Sequence, residues 1–506
     1  MGGRTPRNLF KNLAQKLAQI IREIPRLAGA CLTPSAAIEL LQICVTSHPM
    51  VLPPLERARI VIIGAGPTGL GAAHRLYELG YRNFVLFEKE SHAGGLASSF
   101  RDSEGFTWDI GGHVQFSHYA YFDELMDRLL GREWLHHERQ AWVWMRDRFI
   151  PYPFQNNIRY LPSPELRDCL RGLLACARNG SPGAPPANFE EWIYRGFGEG
   201  IARCFMIPYN RKVWAYQPSE LAFQWIGERV AQIDLERIVM NIAEARDDVS
   251  WGPNNLFRFP LRGGTGEIWR RLAATLPRQS LVFGKSLLGL RAGKKQIVFS
   301  DGSLEDYDIL ISTMPLDQLV DASDLDHLKP AAANLRRSAT HVIGVGIKGA
   351  PGPHLRQKCW MYFPESNAAF YRVTVFSNYS PNNVPDASRF WSLMAEVSEP
   401  AGISQWQAKP LSRDAVVEET VAAMQSCGLI ASVRDVVSTW HYRARHGYPT
   451  PSLGRDTALQ VLLPALEEKA IFSRGRFGAW KYEVSNQDHS LRAWSSSTGS
   501  RPKARN

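Results

Sequence analysis

The residues best placed to do chemistry lie in "IVIIGAGPTGLG". Gly64, Gly66 and Gly69 complete GxGxxG directly after an apolar run and directly before a helical pattern. Gly64 permits a tight turn, and Gly66 lets the backbone approach a pyrophosphate. Gly69 lets helix and strand pack closely, while the helix N-terminus offers aligned N–H groups. Glu88 closes the next apolar run, 19 residues after Gly69, where a carboxylate accepts hydrogen bonds from a ribose. Its neighbour Lys89 faces the other way, because consecutive strand side chains alternate. Downstream, Gly94, Gly95 and Leu96 in "HAGGLASS" admit a second flat or anionic group, which favours FAD over NAD. A Gly-rich turn without a ligand is the competing reading, and the strand–turn–helix context argues against it.

A second set of residues is basic and aromatic. Arg372 in "FYRVTVF" shares a strand face with Thr374 and Phe376. An arginine on a buried face needs an anionic partner, and from the residues alone a structural salt bridge is the simplest account. The prolines of "PYPFQNN" stiffen a loop carrying Tyr152, Phe154 and Gln155, which reads on its own as an aromatic core plug. Asn210 and Trp214 stand four apart and share a helix face. His113 and His118 are five apart, but no nearby Cys or carboxylate completes a metal set, so no metal is expected. Seven cysteines are scattered without a CxxC, which argues against zinc and a disulfide framework and suits a reducing compartment.

The elements that must position these residues follow from periodicity. The reading is α/β: a Rossmann-like FAD-binding domain with an inserted helical domain and an antiparallel β-sheet domain. Residues 1–58 form an N-terminal extension, partly helical or disordered. The FAD-binding domain is discontinuous, over 59–159, 251–340 and 470–490. Residues 160–250 carry helical spacing on the substrate side, 341–469 are mainly sheet, and 491–506 are a disordered tail. There is no internal repeat.

Of 506 residues, 44% are hydrophobic and 21% charged, a globular composition too long for one ordinary core. The net charge of +10 sits at the ends: residues 1–30 hold six Lys or Arg against Glu23 alone, and 491–506 hold four against no acid. With no basic block interleaved with aromatics in the middle, a nucleic-acid partner is not expected. Residues Leu9 to Ile24 read as a basic amphipathic helix, best explained by docking or disorder. "LAGACLTPSAAIELLQICV" is broken by Pro34, Glu39 and Gln42, so no transmembrane segment is expected.

Longer stretches carry a resemblance. "GFTWDIGGHVQFSHYAYFDE", "PYPFQNNI", "PYNRKVWAY", "WGPNNLFRFPLRGGTG", "CWMYFPESNAAFYRVTVFSNYSP", "HGYPTP" and "RGRFGAWKYEVSNQDHS" resemble, in order, the eukaryotic, fungal-type UDP-galactopyranose mutases. The likeness covers about Arg59 to Ser490. It implies a cytoplasmic FAD enzyme of cell-wall galactofuranose metabolism that interconverts UDP-galactopyranose and UDP-galactofuranose and is compatible with a homo-oligomer. In that family the flavin is reduced by NADPH or NADH, and its N5 attacks the anomeric carbon as UDP leaves.

Carried over position by position, the resemblance makes Arg229 and Arg372 the diphosphate arginines, with the phenols of Tyr362, Tyr448 and Tyr482 on the same group. Tyr152, Phe154, Gln155, Asn210 and Trp214 match the base pocket. Asn254, Trp360, Tyr379 and Arg476 match substrate-side positions. His113, with Phe116 and His118, lines the flavin, and Asn486, Gln487 and Ser490 complete its cradle. Segments 229–236 and 247–255 correspond to flaps that close over the nucleotide.

Three departures stand out. Ser250 replaces an expected Asn, Ile207 an expected Arg, and "LRAWSSSTGSRPKARN" the helix that should follow "NQDHS". Two rival expectations follow: a flavin oxidase of the amine-oxidase type, and a truncated, non-catalytic homologue that would purify without yellow colour.

Overall fold

The computed structural model describes residues 57–179, 184–227, 230–249, 252, 254–401 and 412–482. The expectations for residues 1–56 and 491–506, and for Ser250, lie outside the described residues.

"IVII" is too short for a helix and rich in β-branched side chains, and it forms the strand Ile60–Ile63. It lies at the centre of a five-stranded parallel sheet ordered Ile471–Ser473, Ile309–Ser312, Ile60–Ile63, Phe84–Phe87, Leu281–Val282. Both faces are buried, as a parallel sheet requires. Ile60 and Ile62 pack with the helices Pro67–Glu78, Ala120–Leu130 and Gly266–Ala274. Val61 and Ile63 pack with Leu316–Asp321 and Arg455–Glu467. Each such side chain contributes roughly 1.5–3 kcal/mol of burial.

The second sheet has seven strands, ordered Val436–Pro449, Arg337–Lys348, Phe390–Ala401, Arg372–Val375, Trp360–Tyr362, Ala141–Met145, Arg148–Pro151. It is antiparallel except where Ala141–Met145 runs parallel to Trp360–Tyr362. Along Arg337–Lys348, Ile343, Val345 and Ile347 face the helix Arg413–Ser426 through Val416 and Met424. Its other face is cut back to glycine where the sheets meet. A Cβ on Gly344 would lie 2.5 Å from the Trp108 ring, and one on Gly346 2.6 Å from that of Phe106. Trp108 belongs to the ribbon Ser99–Arg101/Thr107–Asp109 and Phe106 immediately precedes its second strand, so the ribbon joins the dinucleotide unit to the large sheet.

Between the sheets the chain runs through the helices Ser163–Asn179, Phe189–Ile201, Ile207–Trp214 and Leu235–Ala243. A π-helical turn, Ala202–Met206, joins the second to the third. Two segments cross the boundaries drawn from periodicity. Strands 141–151, assigned with 59–159, pair in the seven-stranded sheet. Helix Arg455–Glu467, assigned with 341–469, packs against the parallel sheet through Ala458, Leu462 and Leu466. Both have partners distant in sequence, which local periodicity does not encode.

Candidate active site

The register of the large sheet decides which side chains meet. Tyr362 lies opposite Arg372, and Arg372 opposite Glu396; one row along, Trp360 lies opposite Thr374. Opposed residues share a face, so these five stand together on the face that carries Trp108 and Phe106 at Gly344 and Gly346. Arg372 holds Glu396 through Nε, 2.9 Å from Oε1, and through Nη2, 2.6 and 2.8 Å from the two carboxylate oxygens. Glu396 also accepts from the Gly112 N–H at 3.2 Å and from the Tyr371 hydroxyl. Burial drives this carboxyl up, but Arg372, Tyr371 and Gly112 outweigh it and hold it below the usual carboxylate range.

Around this pair stands a ring of phenols. The Tyr371 and Tyr448 hydroxyls are 3.3 Å apart. The Arg476 guanidinium lies over the Tyr448 and Tyr482 rings at 5.1 and 5.0 Å. Trp214 meets the same two rings edge-on, and its buried Nε1 has no partner among the described residues. Tyr152 packs against Tyr362 at 5.2 Å, and Trp360 Nε1 donates to the Tyr362 hydroxyl at 2.7 Å. Burial raises the Tyr152 and Tyr362 phenols and pushes Tyr448 up to about 12, so all three are neutral donors at pH 7.

A run of rings leads away from this chamber. Tyr362 meets Tyr209, Tyr209 stacks on Phe205, and Phe205 stacks on the fully buried Phe154. Gln155 Nε2 donates to the Ala231 carbonyl at 2.9 Å, and Asn210 Nδ2 to that of Met206 at 2.8 Å. Asn254 accepts from Arg139, whose guanidinium lies 5.4 Å from the Tyr152 ring centre. Tyr379 is buried among Phe257, Phe259 and Phe376.

The parallel sheet supplies the other half. Gly64 has φ +100°, a conformation that favours glycine. A Cβ on Gly69 would lie 1.9 Å from the Gly64 carbonyl oxygen, so helix and strand touch backbone to backbone. A Cβ on Gly95 would sit 3.1 Å from the Gly66 Cα, and Gly94 N–H donates to Ala65 O at 2.8 Å, holding the two glycine turns face to face. Leu96 packs at the join of two cores. Glu88 is buried and accepts from the N–H of Ala65 at 2.6 Å and of Glu90 at 2.9 Å.

His113 joins the halves. Burial, then the charges of Arg476 and Arg372, lower its pKa to about 4 against the pull of Glu396, so it is neutral at pH 7. Its Nδ1 is buried without a partner among the described residues. Its carbonyl accepts from Thr265 Oγ1 at 3.1 Å, and Thr265 N–H in turn lies 3.2 Å from both oxygens of buried Asp109.

The family model for flavin containing amine oxidoreductases matches residues 67–464. A crystal structure of reduced UDP-galactopyranose mutase superposes with a TM-score of 0.81 at 49% identity, covering 86% of this chain and 91% of that one. The chain belongs to the UDP-galactopyranose mutase family. The likeness to a redesigned putrescine oxidase (TM-score 0.59, 13% identity, 86% and 98% covered) and to a fatty acid isomerase from P. acnes (0.57, 15%, 87% and 97%) is one of fold. A 15-cis-phytoene desaturase of Glycine max is 26% identical over 195 residues, 34% of this chain. The chain matches about a third of that protein's length, 34%.

UDP-galactopyranose mutases thus sit within a family of flavin enzymes, and the facing glycine turns with the buried Glu88 fit FAD. Of the mutase positions expected from sequence, Tyr152, Trp214, Trp360, Tyr362, Arg372, Tyr448, Arg476 and Tyr482 converge on one chamber, and Phe154 stands at the far end of the ring run. Arg229, Asn486, Gln487 and Ser490 lie outside the described residues. His118 is exposed, with its ring against the edge of Phe116. Sequence reasoning missed Glu396, Tyr371 and Asp109. The signal for Glu396 was a lone acid inside the apolar run "FWSLMAEV". Among the described residues no three His, Cys, Asp or Glu side chains could hold a metal ion, and no helix is long and apolar enough to cross a membrane.

Asp109 yields a pH prediction. Burial pushes its carboxyl up to about 6, against hydrogen bonds from Ser99 and Thr265. The folded chain therefore binds a proton there that the unfolded chain has lost. The contribution is complete below the ordinary value near 4 and is lost as pH rises through 6, about 3 kcal/mol at most. His113 has the opposite sign over nearly the same window, its contribution being lost as pH falls toward 4. The whole-protein curve therefore hides both. Urea unfolding of D109N and wild type at pH 4.5 and 7 isolates the first: the variant should gain relative to wild type at the higher pH.

Proposed function

We propose that this chain is an isomerase that interconverts UDP-galactopyranose and UDP-galactofuranose in the cytoplasm, using FAD kept reduced by NADPH or NADH and serving galactofuranose supply to the cell wall. The observation that carries the reading is the convergence of Arg372 and Arg476 with Tyr362, Tyr448 and Tyr482 beside Gly112, whose N–H is held by Glu396 of the large sheet. When bound, reduced FAD supplies a nucleophilic nitrogen, N5, for the anomeric carbon.

The protein's part is positional and electrostatic. The forked guanidinium of Arg372 suits a departing and returning diphosphate, with neutral phenols as further donors. The ring run from Tyr362 to Phe154 suits the base. Neutral His113 adds no charge beside the flavin, and the buried aromatic walls exclude water from the sugar. Equilibrium binding tests the reading: UDP should bind the reduced, flavin-loaded protein at least about a hundredfold more tightly than uridine, since the diphosphate meets the forked guanidinium of Arg372. Equal weak binding of the two would overturn it. Oxygen consumption with an amine and no UDP binding would point to oxidase chemistry instead.

A further inference from the structure

We propose that Glu396 is a positioning residue that holds Arg372 as an internal counter-anion and competes with the substrate's diphosphate for it. The inference rests on the reading of Arg372 as a diphosphate ligand and adds a role for the carboxylate behind it.

The geometry puts the two groups in series. The Arg372 side chain is 22% exposed and that of Glu396 3%, so the guanidinium is the more accessible member of the pair and the carboxylate the more deeply buried. Glu396 uses the Nε and Nη2 edge of the fork, leaving Nη1 for a second anion. The carboxylate has anchors besides Arg372. Gly112 N–H and the Tyr371 hydroxyl come from two other points of the chamber, and Tyr371 is itself 3.3 Å from the Tyr448 hydroxyl. Glu396 therefore keeps two anchors when the guanidinium turns toward a ligand.

Charge accounting gives the consequence. Arg372 offers one positive charge to a diphosphate, and the neutral His113 and Tyr448 beside it add none. Glu396 offsets that charge. A pair needed only for packing could be replaced by apolar side chains of similar volume, often with no loss of stability. Here the carboxylate faces the ligand's own charge across a shared arginine, which orients the fork and weakens the hold on UDP. That suits a reaction in which UDP must leave the sugar and return to it.

The experiment compares UDP affinity of reduced, flavin-loaded wild type, E396Q and E396D by calorimetry. Gln keeps the shape and one acceptor but removes the charge, so UDP should bind on the order of tenfold more tightly, with KM and kcat both lowered. Asp keeps the charge but draws it back from the fork, and should shift affinity the same way by less. Damage to the fold alone would weaken binding, so the sign separates the two accounts. Unchanged or weaker UDP binding in both variants, with wild type binding normally, overturns the inference. So does failure of both variants to fold and load flavin, which would leave Glu396 a purely structural role. Failure of wild type itself to bind UDP would instead remove the proposed function, and the inference with it.

Discussion

R372A is expected to lose turnover by on the order of a thousandfold in kcat/KM and to lose about 3–5 kcal/mol of stability at the same time. The two losses have different origins. Turnover falls because the diphosphate loses a forked donor that no other described residue on that row of the sheet replaces. Stability falls because Glu396 is left buried with only Tyr371 and Gly112 as partners. R372A/E396Q separates them. Removing the stranded charge should restore most of the stability in urea unfolding and none of the turnover. R372K should keep the charge and most of the stability but lose the bidentate geometry, and with it much of the rate. Recovery of turnover in the double variant would mean that Arg372 serves the fold alone.

G69A is expected to give a protein without bound flavin, destabilised by several kcal/mol. A methyl at this position meets the Gly64 carbonyl oxygen at 1.9 Å and its carbon at 3.1 Å. Both are backbone atoms of the turn that forms the cradle, so relief requires the helix Pro67–Glu78 to lift off the strand Ile60–Ile63. Such overpacking costs about 1–3 kcal/mol where side chains can yield and more where they cannot. The same lift opens the gap between Gly66 and Gly95 on which the cofactor's approach depends. G293A serves as the control: nothing lies within 4 Å of a Cβ there, and it should keep both flavin absorbance and unfolding midpoint. Yellow, stable G69A protein would show that the close helix–strand contact is not required.

The dinucleotide half was legible because its physics is local. A short apolar run, three glycines at fixed spacing and an acid at the end of the next strand specify a turn, a helix start and a carboxylate, and all of them lie within thirty residues. The substrate half was legible through resemblance and only partly through its residues. Strand alternation placed Arg372 and Thr374 on one face and demanded an anionic partner for the arginine. The partner proved to be Glu396, and that pairing depends on the register of two strands. A salt bridge and a diphosphate ligand are not exclusive readings of Arg372, since one fork can serve both.

Phe154 behaves as the core plug its sequence suggests, yet it is tied to Tyr362 through Phe205 and Tyr209. That link runs through the π-helical turn Ala202–Met206, which helical spacing does not reveal. The crossing of strands 141–151 into the large sheet has the same cause, a contact made between segments far apart in the chain.

On the proposed reading, the chamber and the flavin cradle form one isomerase site whose activity depends on reduced flavin. The most direct test offers UDP-galactofuranose to one flavin-loaded preparation, half of it oxidised and half reduced with dithionite, and follows the nucleotide sugars by chromatography. UDP-galactopyranose should form in the reduced half and not in the oxidised half. No conversion by reduced protein with full flavin occupancy, or equal conversion in both halves, would contradict the account.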